Sequence, residues 1–173
     1  MRYETPEAKQ LPKEELDRRI CQFETICRTY SIQKKKIRKF EDTVPWALDP
    51  NIDTSTFSEK EIRMLRRYRI MKEETAFVER VFNGIGNHWG KGVCSLLRDR
   101  LIYGMAAEEV AEIYGYTKKQ IYSRRRSWLT SVLSEDPYFD AELDDEPFEL
   151  DAPVSASKPK KKSVRRKNGQ KKK

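Results

Sequence analysis

Between positions 117 and 126 the chain carries five basic residues, Lys118, Lys119, Arg124, Arg125 and Arg126, and no acidic one. Such a set suits recognition of a polyanion, because each cation can pair with a phosphate oxygen. Catalytic chemistry is not visible elsewhere. The single histidine, His88, stands six residues before Cys94, and Cys21 and Cys27 repeat that spacing. A zinc site needs about four ligands, usually with tight Cys-x-x-Cys pairs, so no metal or other cofactor is expected. No Gly-x4-Gly-Lys-Ser/Thr phosphate loop occurs, and GIGNHWG lacks the Lys-Ser/Thr that would have to follow it. Carboxylates cluster only in 135–151, no nucleophile has a visible base, and no enzyme is expected.

The basic residues need a helix to aim them. Thr117 followed by Gln120 is a capping box that opens one. Ile121, Leu129 and Val132 form its apolar side, which leaves Lys118, Lys119, Tyr122, Arg125 and Arg126 outward. A short helix over 106–114 precedes it, with Val110, Ala111 and Tyr114 on one face and Gly115 as its stop. Leu96, Leu97, Leu101 and Ile102 give a further helix that ends before Gly104. Ala111 is small enough for two helices to approach, Gly115 makes the turn, and Ile121 locks the next helix down. This is the spacing of a helix-turn-helix, whose last helix lies in the major groove with its N-terminal residues at base edges. The expectation is a DNA-binding domain over 93–134 with double-stranded DNA as its partner. Thr117, at the helix start, suits a phosphate through its backbone N–H. Arg98 and Arg100 are candidates for further backbone contacts.

The stretch RDRLIYGMAAEEVAEIYGYTKKQIYSRRRSWL resembles the fourth region of sigma-70-type RNA polymerase sigma factors. It looks still more like the sigma-like domains of small prophage transcriptional regulators of the ArpU and RinA types. The likeness covers about 97–133 and rests on EEVA, GYT and the basic helix after them, while Tyr103-Gly104 stands where those domains carry YxxG. It implies a transcriptional regulator of phage or prophage origin, with RNA polymerase as a second partner. It also implies Lys118, Lys119, Gln120, Tyr122, Ser123 and Arg126 as the DNA-facing set. The chemistry agrees: Lys and Arg pair with guanine acceptors, Gln can bond adenine twice, and hydroxyls reach phosphates or bases. Two positions depart from the pattern. Arg124 stands where an aliphatic residue is usual, and Ala106 where a capping Ser or Thr is usual. Nothing resembling a promoter-melting region precedes this stretch, so a complete sigma factor is not expected.

The remainder reads as helical support, giving an all-α fold. A first helix starts near Leu11 and Pro12, with proline at its first position. Its seam is Leu16, Ile20, Phe23, Cys27, Tyr30 and, beyond Lys34, Ile37. TVPWALDPNIDTSTFS, 43–58, is a loop that Trp46 pins to the helices. Ser58 with Glu61 caps a second helix whose seam is Met64, Tyr68, Met71, Thr75, Val78 and Phe82. NGIGNHWGKG, 83–92, holds four of the seven glycines and is expected to end that helix. The region 12–83 is therefore an antiparallel hairpin, or a coiled coil that makes a homodimer.

Net charge is +8, and its distribution is uneven. Residues 158–173 hold ten Lys/Arg, residues 135–151 hold nine Asp/Glu, and the rest of the chain is basic in its own right. The segment 135–173 is expected to be disordered, an acidic linker followed by a basic arm. No run of about 20 apolar residues spans a membrane, and MRYETPEAKQ is not a signal peptide. With three cysteines, too few for a disulfide scaffold, the compartment expected is a reducing cytoplasm, bacterial or that of a phage's host. Two rival functions fit the same features: a DNA-packaging small terminase subunit, and an RNA-binding or interaction protein driven by the basic tail.

Overall fold

The computed structural model describes residues 11–49 and 51–140. The basic arm and all of the acidic linker beyond residue 140 lie outside the described residues. Among the described residues the fold is all-α: α1 (Lys13–Thr43), α2 (Glu59–Trp89), α3 (Lys91–Leu101), α4 (Ala107–Tyr114) and α5 (Lys118–Leu133), with two 3-10 turns at Pro45–Leu48 and Pro137–Phe139. Pro12 takes the N-cap position of α1, one residue before the helical position expected for it.

α1 and α2 run side by side in opposite directions. Tyr68 Oη donates to Glu41 Oε1 (2.7 Å), Gln33 Nε2 donates to the Glu74 carboxylate, Tyr30 Oη donates to Glu79 Oε1 (2.5 Å), and Phe23 meets Phe82. Rising numbers on α2 thus meet falling numbers on α1. Among the described residues their buried apolar seams pack against each other within one chain. The α1 seam is close to the expected one, with Ile26 and Arg19 added to its buried side. On α2 the buried residue of the second turn is Leu65, whereas Met64 is turned outward.

The glycine-rich stretch does not end α2. The helix continues through Asn83, Gly84, Ile85 and Gly86 to Trp89, and Gly90 (φ +91°) alone makes the break to α3. Two contacts explain this. Ile85 is completely buried. A Cβ on Gly84 would stand 2.8 Å from Val132 Cγ1, so the glycine allows α5 to approach. Glycine inside a helix costs about 1 kcal/mol relative to alanine, and close packing of α5 offsets it. The boundary expected at 83 therefore falls inside α2. One core takes Phe23, Tyr30, Phe77, Phe82, Leu97, Val110, Ile121, Trp128 and Leu129 from all five helices.

A smaller cluster of Ile37, Ala47, Leu65 and Tyr68 closes the far end of α1 and α2. Trp46 does not pin the loop there: it rests on Phe57 (ring centroids 4.8 Å apart), and Ala47 is the buried anchor. The chain after α5 is also more ordered than expected through residue 140. Tyr138 stacks on Phe77 at 4.1 Å and Phe139 meets the same ring edge-on at 5.3 Å. Buried Asp136 accepts from Tyr138 N (2.9 Å) and pairs with Arg80 (3.1 Å). Burial and the nearby Glu74 and Glu73 carboxylates push the Tyr138 phenol up to about 12.

The cysteines are placed apart. Cys21 is exposed, Cys94 donates through Sγ to Phe82 O (3.3 Å), and burial raises the Cys27 thiol to about 12, which keeps it protonated and unreactive. His88 packs edge-on against Trp89. Among the described residues no group of three His, Cys, Asp or Glu side chains could hold a metal ion, and no helix is long and apolar enough to cross a membrane.

Candidate nucleic-acid interface

The basic residues are positioned by two short helices and the turn between them. α4 starts without a side-chain cap from Ala106, whose methyl group accepts nothing. Glu109 compensates in part by accepting from the Ala106 N–H (3.0 Å). Val110 and Ala111 face the core, and Gly115 ends α4 in the left-handed region (φ +70°, ψ +27°). There a side chain would be strained. Tyr116 N then bonds back to Ala111 O (3.0 Å), which closes the turn. Thr117 caps α5 as expected: its Oγ1 accepts from Gln120 N (3.2 Å), and Gln120 Oε1 accepts from Thr117 N (2.8 Å).

α5 is held by three residues spaced along one side, Ile121, Trp128 and Leu129, and by Leu133 at its end. Trp128 and Leu133 were not in the expected apolar set, while Val132 is only partly buried, against Gly84. The last carbonyls of α5 find an unusual cap. Arg19, buried on α1, donates to Leu133 O and Ser134 O, both at 3.1 Å, and to Glu15 Oε1 at 2.8 Å. Its guanidinium also lies over the Phe139 ring. This supplies the carbonyls that every helix end leaves unbonded and fixes α5 to α1.

With that side fixed, Thr117, Lys118, Lys119, Gln120, Tyr122, Ser123, Arg124 and Arg126 are exposed. Arg125 is not on the free face. It is half-buried against α1 in an ion pair with Glu24, and burial lowers its pKa, though a guanidinium stays charged. Lys118 and Arg126 are exposed, but each carries a carboxylate partner, Glu108 for Lys118 and Asp17 for Arg126. Those pairs have both members open to solvent, where an ion pair is worth roughly 0–1 kcal/mol, so a phosphate can replace either carboxylate. Lys119 and Arg124 have no such partner among the described residues. Gln120 is half-committed: its carbonyl oxygen serves the cap and only its amide N–H groups remain for another acceptor.

Arg98 and Arg100 are engaged within the fold. Arg98 lies over the Phe82 ring at 4.9 Å, and Arg100 Nη1 donates to Met105 O (2.8 Å). Arg124 points to solvent at the position where an aliphatic residue is usual, and Ile121, Trp128 and Leu129 supply the inward side without it. The acidic partners Asp17 and Glu24 have no signature in the sequence, because nothing in the seam of α1 specifies which of its flanks meets α5.

The outcome is a helix whose N-terminal two turns present Lys119, Ser123 and Arg124 to solvent, with Lys118 and Arg126 at its edges. Compared with protein-family models, with curated proteins and with solved structures, the chain matches none.

Proposed function

We propose that the protein is a sequence-specific, double-stranded-DNA-binding transcriptional regulator of phage or prophage origin. In this reading α4, the Gly115 turn and α5 form a helix-turn-helix, and α5 enters the major groove. The observation that carries it is the exposed N-terminal face of α5: a capped, firmly seated helix with Lys119 and Arg124, which have no ion-pair partner among the described residues, beside Ser123 and exposed Tyr122. Lys119, Ser123 and the remaining amide of Gln120 are the base readers. Lys118 and Arg126 take phosphates by exchanging their carboxylate partners for phosphate oxygens. Thr117 can offer a phosphate only its hydroxyl, because its backbone N–H is held by Gln120 Oε1 in the capping box. Arg125 is assigned to holding α5 on α1 rather than to DNA. The N-terminal helices carry the RNA polymerase contact that the resemblance to sigma-like domains implies. A homodimer through the α1 and α2 seams is not part of this proposal, since those seams are filled within the chain.

Binding-site selection with the purified full chain and a random duplex library tests the reading. An enriched motif of several base pairs is expected. Retention of duplexes without any enriched motif contradicts sequence-specific recognition.

A further inference from the structure

α5 is seated on one flank of α1, and that flank continues beyond the seat. Asp17 and Glu24, which pair with Arg126 and Arg125, are seven residues apart. Arg28, Lys35 and Arg38 follow Glu24 at steps of four, seven and three residues. Steps of three, four and seven keep residues on one side of a helix. All three cations are exposed, and none has a carboxylate partner among the described residues. They lie roughly 80–160° around the helix from the buried seam of Phe23, Tyr30 and Ile37, at about 100° per residue. No Asp or Glu occupies this flank between Glu24 and Asp42, where Ser31 is the only other member.

We infer that Arg28, Lys35 and Arg38 form a second site, a phosphate track that grips the backbone of duplex DNA alongside the α5 face. It rests on the reading of α5 as the duplex-facing helix. The rise of a helix puts about 15 Å between Arg28 and Arg38. Along a duplex axis each strand sets a phosphate about every 3.4 Å, so a line of that length has several phosphates within its reach. α1 contains no glycine or proline to bend it, so the charges stand on a straight, stiff line. A duplex offers a comparably stiff row of phosphates, whereas a single strand would have to be straightened first. The flank also carries no aromatic side chain, and single-stranded nucleic acids are held largely by base stacking on aromatics. Glu24 and Asp17 contribute by neutralising Arg125 and Arg126, so that the free positive charge of this side is concentrated on the track and on Lys119 and Arg124.

The test is the triple variant Arg28→Gln, Lys35→Gln and Arg38→Gln in the full chain, with binding to a random-sequence duplex measured across salt concentrations. Each phosphate contact contributes about 0.9 to the slope of log K against log salt. The slope is expected to fall by about 2.7, with the sequence preference of the wild type retained. The charge-conserving variant Arg28→Lys, Lys35→Arg and Arg38→Lys should keep the slope. A fall of less than about one in the triple variant, with helicity unchanged by circular dichroism, overturns the track. So does an equal loss for a single-stranded RNA of the same length. If Lys119→Ala leaves affinity and preference unchanged while the triple variant loses slope, the α5 reading fails and the track stands as the duplex contact by itself.

Discussion

Replacing Phe77 by alanine should destabilise the protein by about 3–5 kcal/mol, the cost typical of deleting a buried phenylalanine. Phe77 is completely buried and sits at a junction of three aromatic partners. Phe23 meets it edge-on at 5.6 Å from α1, Tyr138 stacks on it, and Phe139 closes the far edge. Removing the ring takes away the transfer energy of the side chain and leaves a cavity that only three separate elements could collapse to fill. The Pro137–Phe139 turn should lose its platform at the same time. Urea unfolding of the wild type and the variant measures the difference. A loss below about 1 kcal/mol would mean that the turn is not docked on α2 and that residues 135–140 behave as the sequence alone suggested.

The second large effect concerns Lys119. It is exposed, near the start of α5, and has no ion-pair partner among the described residues. Lys119→Ala should leave stability within about 0.5 kcal/mol, as for ordinary surface positions. Affinity for a selected duplex should fall by about 1–3 kcal/mol, roughly 5- to 150-fold, with discrimination lost at one position of the site. A lysine that touches only phosphate would behave differently, weakening all duplexes alike and lowering the salt slope by about one. Equal affinity of wild type and variant for every duplex would remove Lys119 from the interface altogether.

Signals that act between neighbours in the chain were legible in advance. The capping boxes at Ser58 with Glu61 and at Thr117 with Gln120 are both formed, and Gly115 adopts the left-handed turn. These depend on side chains three or four residues apart, so spacing is enough to find them. The all-helical class followed from the same periodicities. What stayed hidden depends on contacts between distant segments. The stop expected at 83–92 failed because Gly84 accommodates Val132, 48 residues away in sequence, and Ile85 enters the shared core. The periodicity of α2 predicts a single stripe, yet Phe77, Val81 and Ile85 lie off that stripe and are buried because α2 is covered on more than one side.

The basic helix shows the same division. That it starts at Thr117 and turns Lys119 and Tyr122 outward could be read from its period. That Arg125 belongs to α1 could not. Its partner Glu24 is about 100 residues away, on a flank of α1 with no apolar signal. Arg124 stands where the resembled domains carry an aliphatic residue, and it is exposed, with no ion-pair partner among the described residues. The aromatic pair Tyr138 and Phe139 sits in an acidic, proline-containing stretch whose composition argues for disorder. Its order through residue 140 comes from the Phe77 platform and from the Arg80–Asp136 pair, neither of which composition can reveal.

The central claim is that the outward face of α5 meets base pairs, and a photo-crosslinking residue at Ser123 tests it most directly. Ser123 is exposed, and its only hydrogen bond among the described residues is a local one to Gln120 O (3.2 Å). With a duplex recovered by selection, crosslinks from position 123 should form to bases inside the enriched motif, and a probe at Glu73 on α2 should give none. Crosslinks absent at 123 while the duplex remains bound, or equal at 123 and 73, would contradict the account.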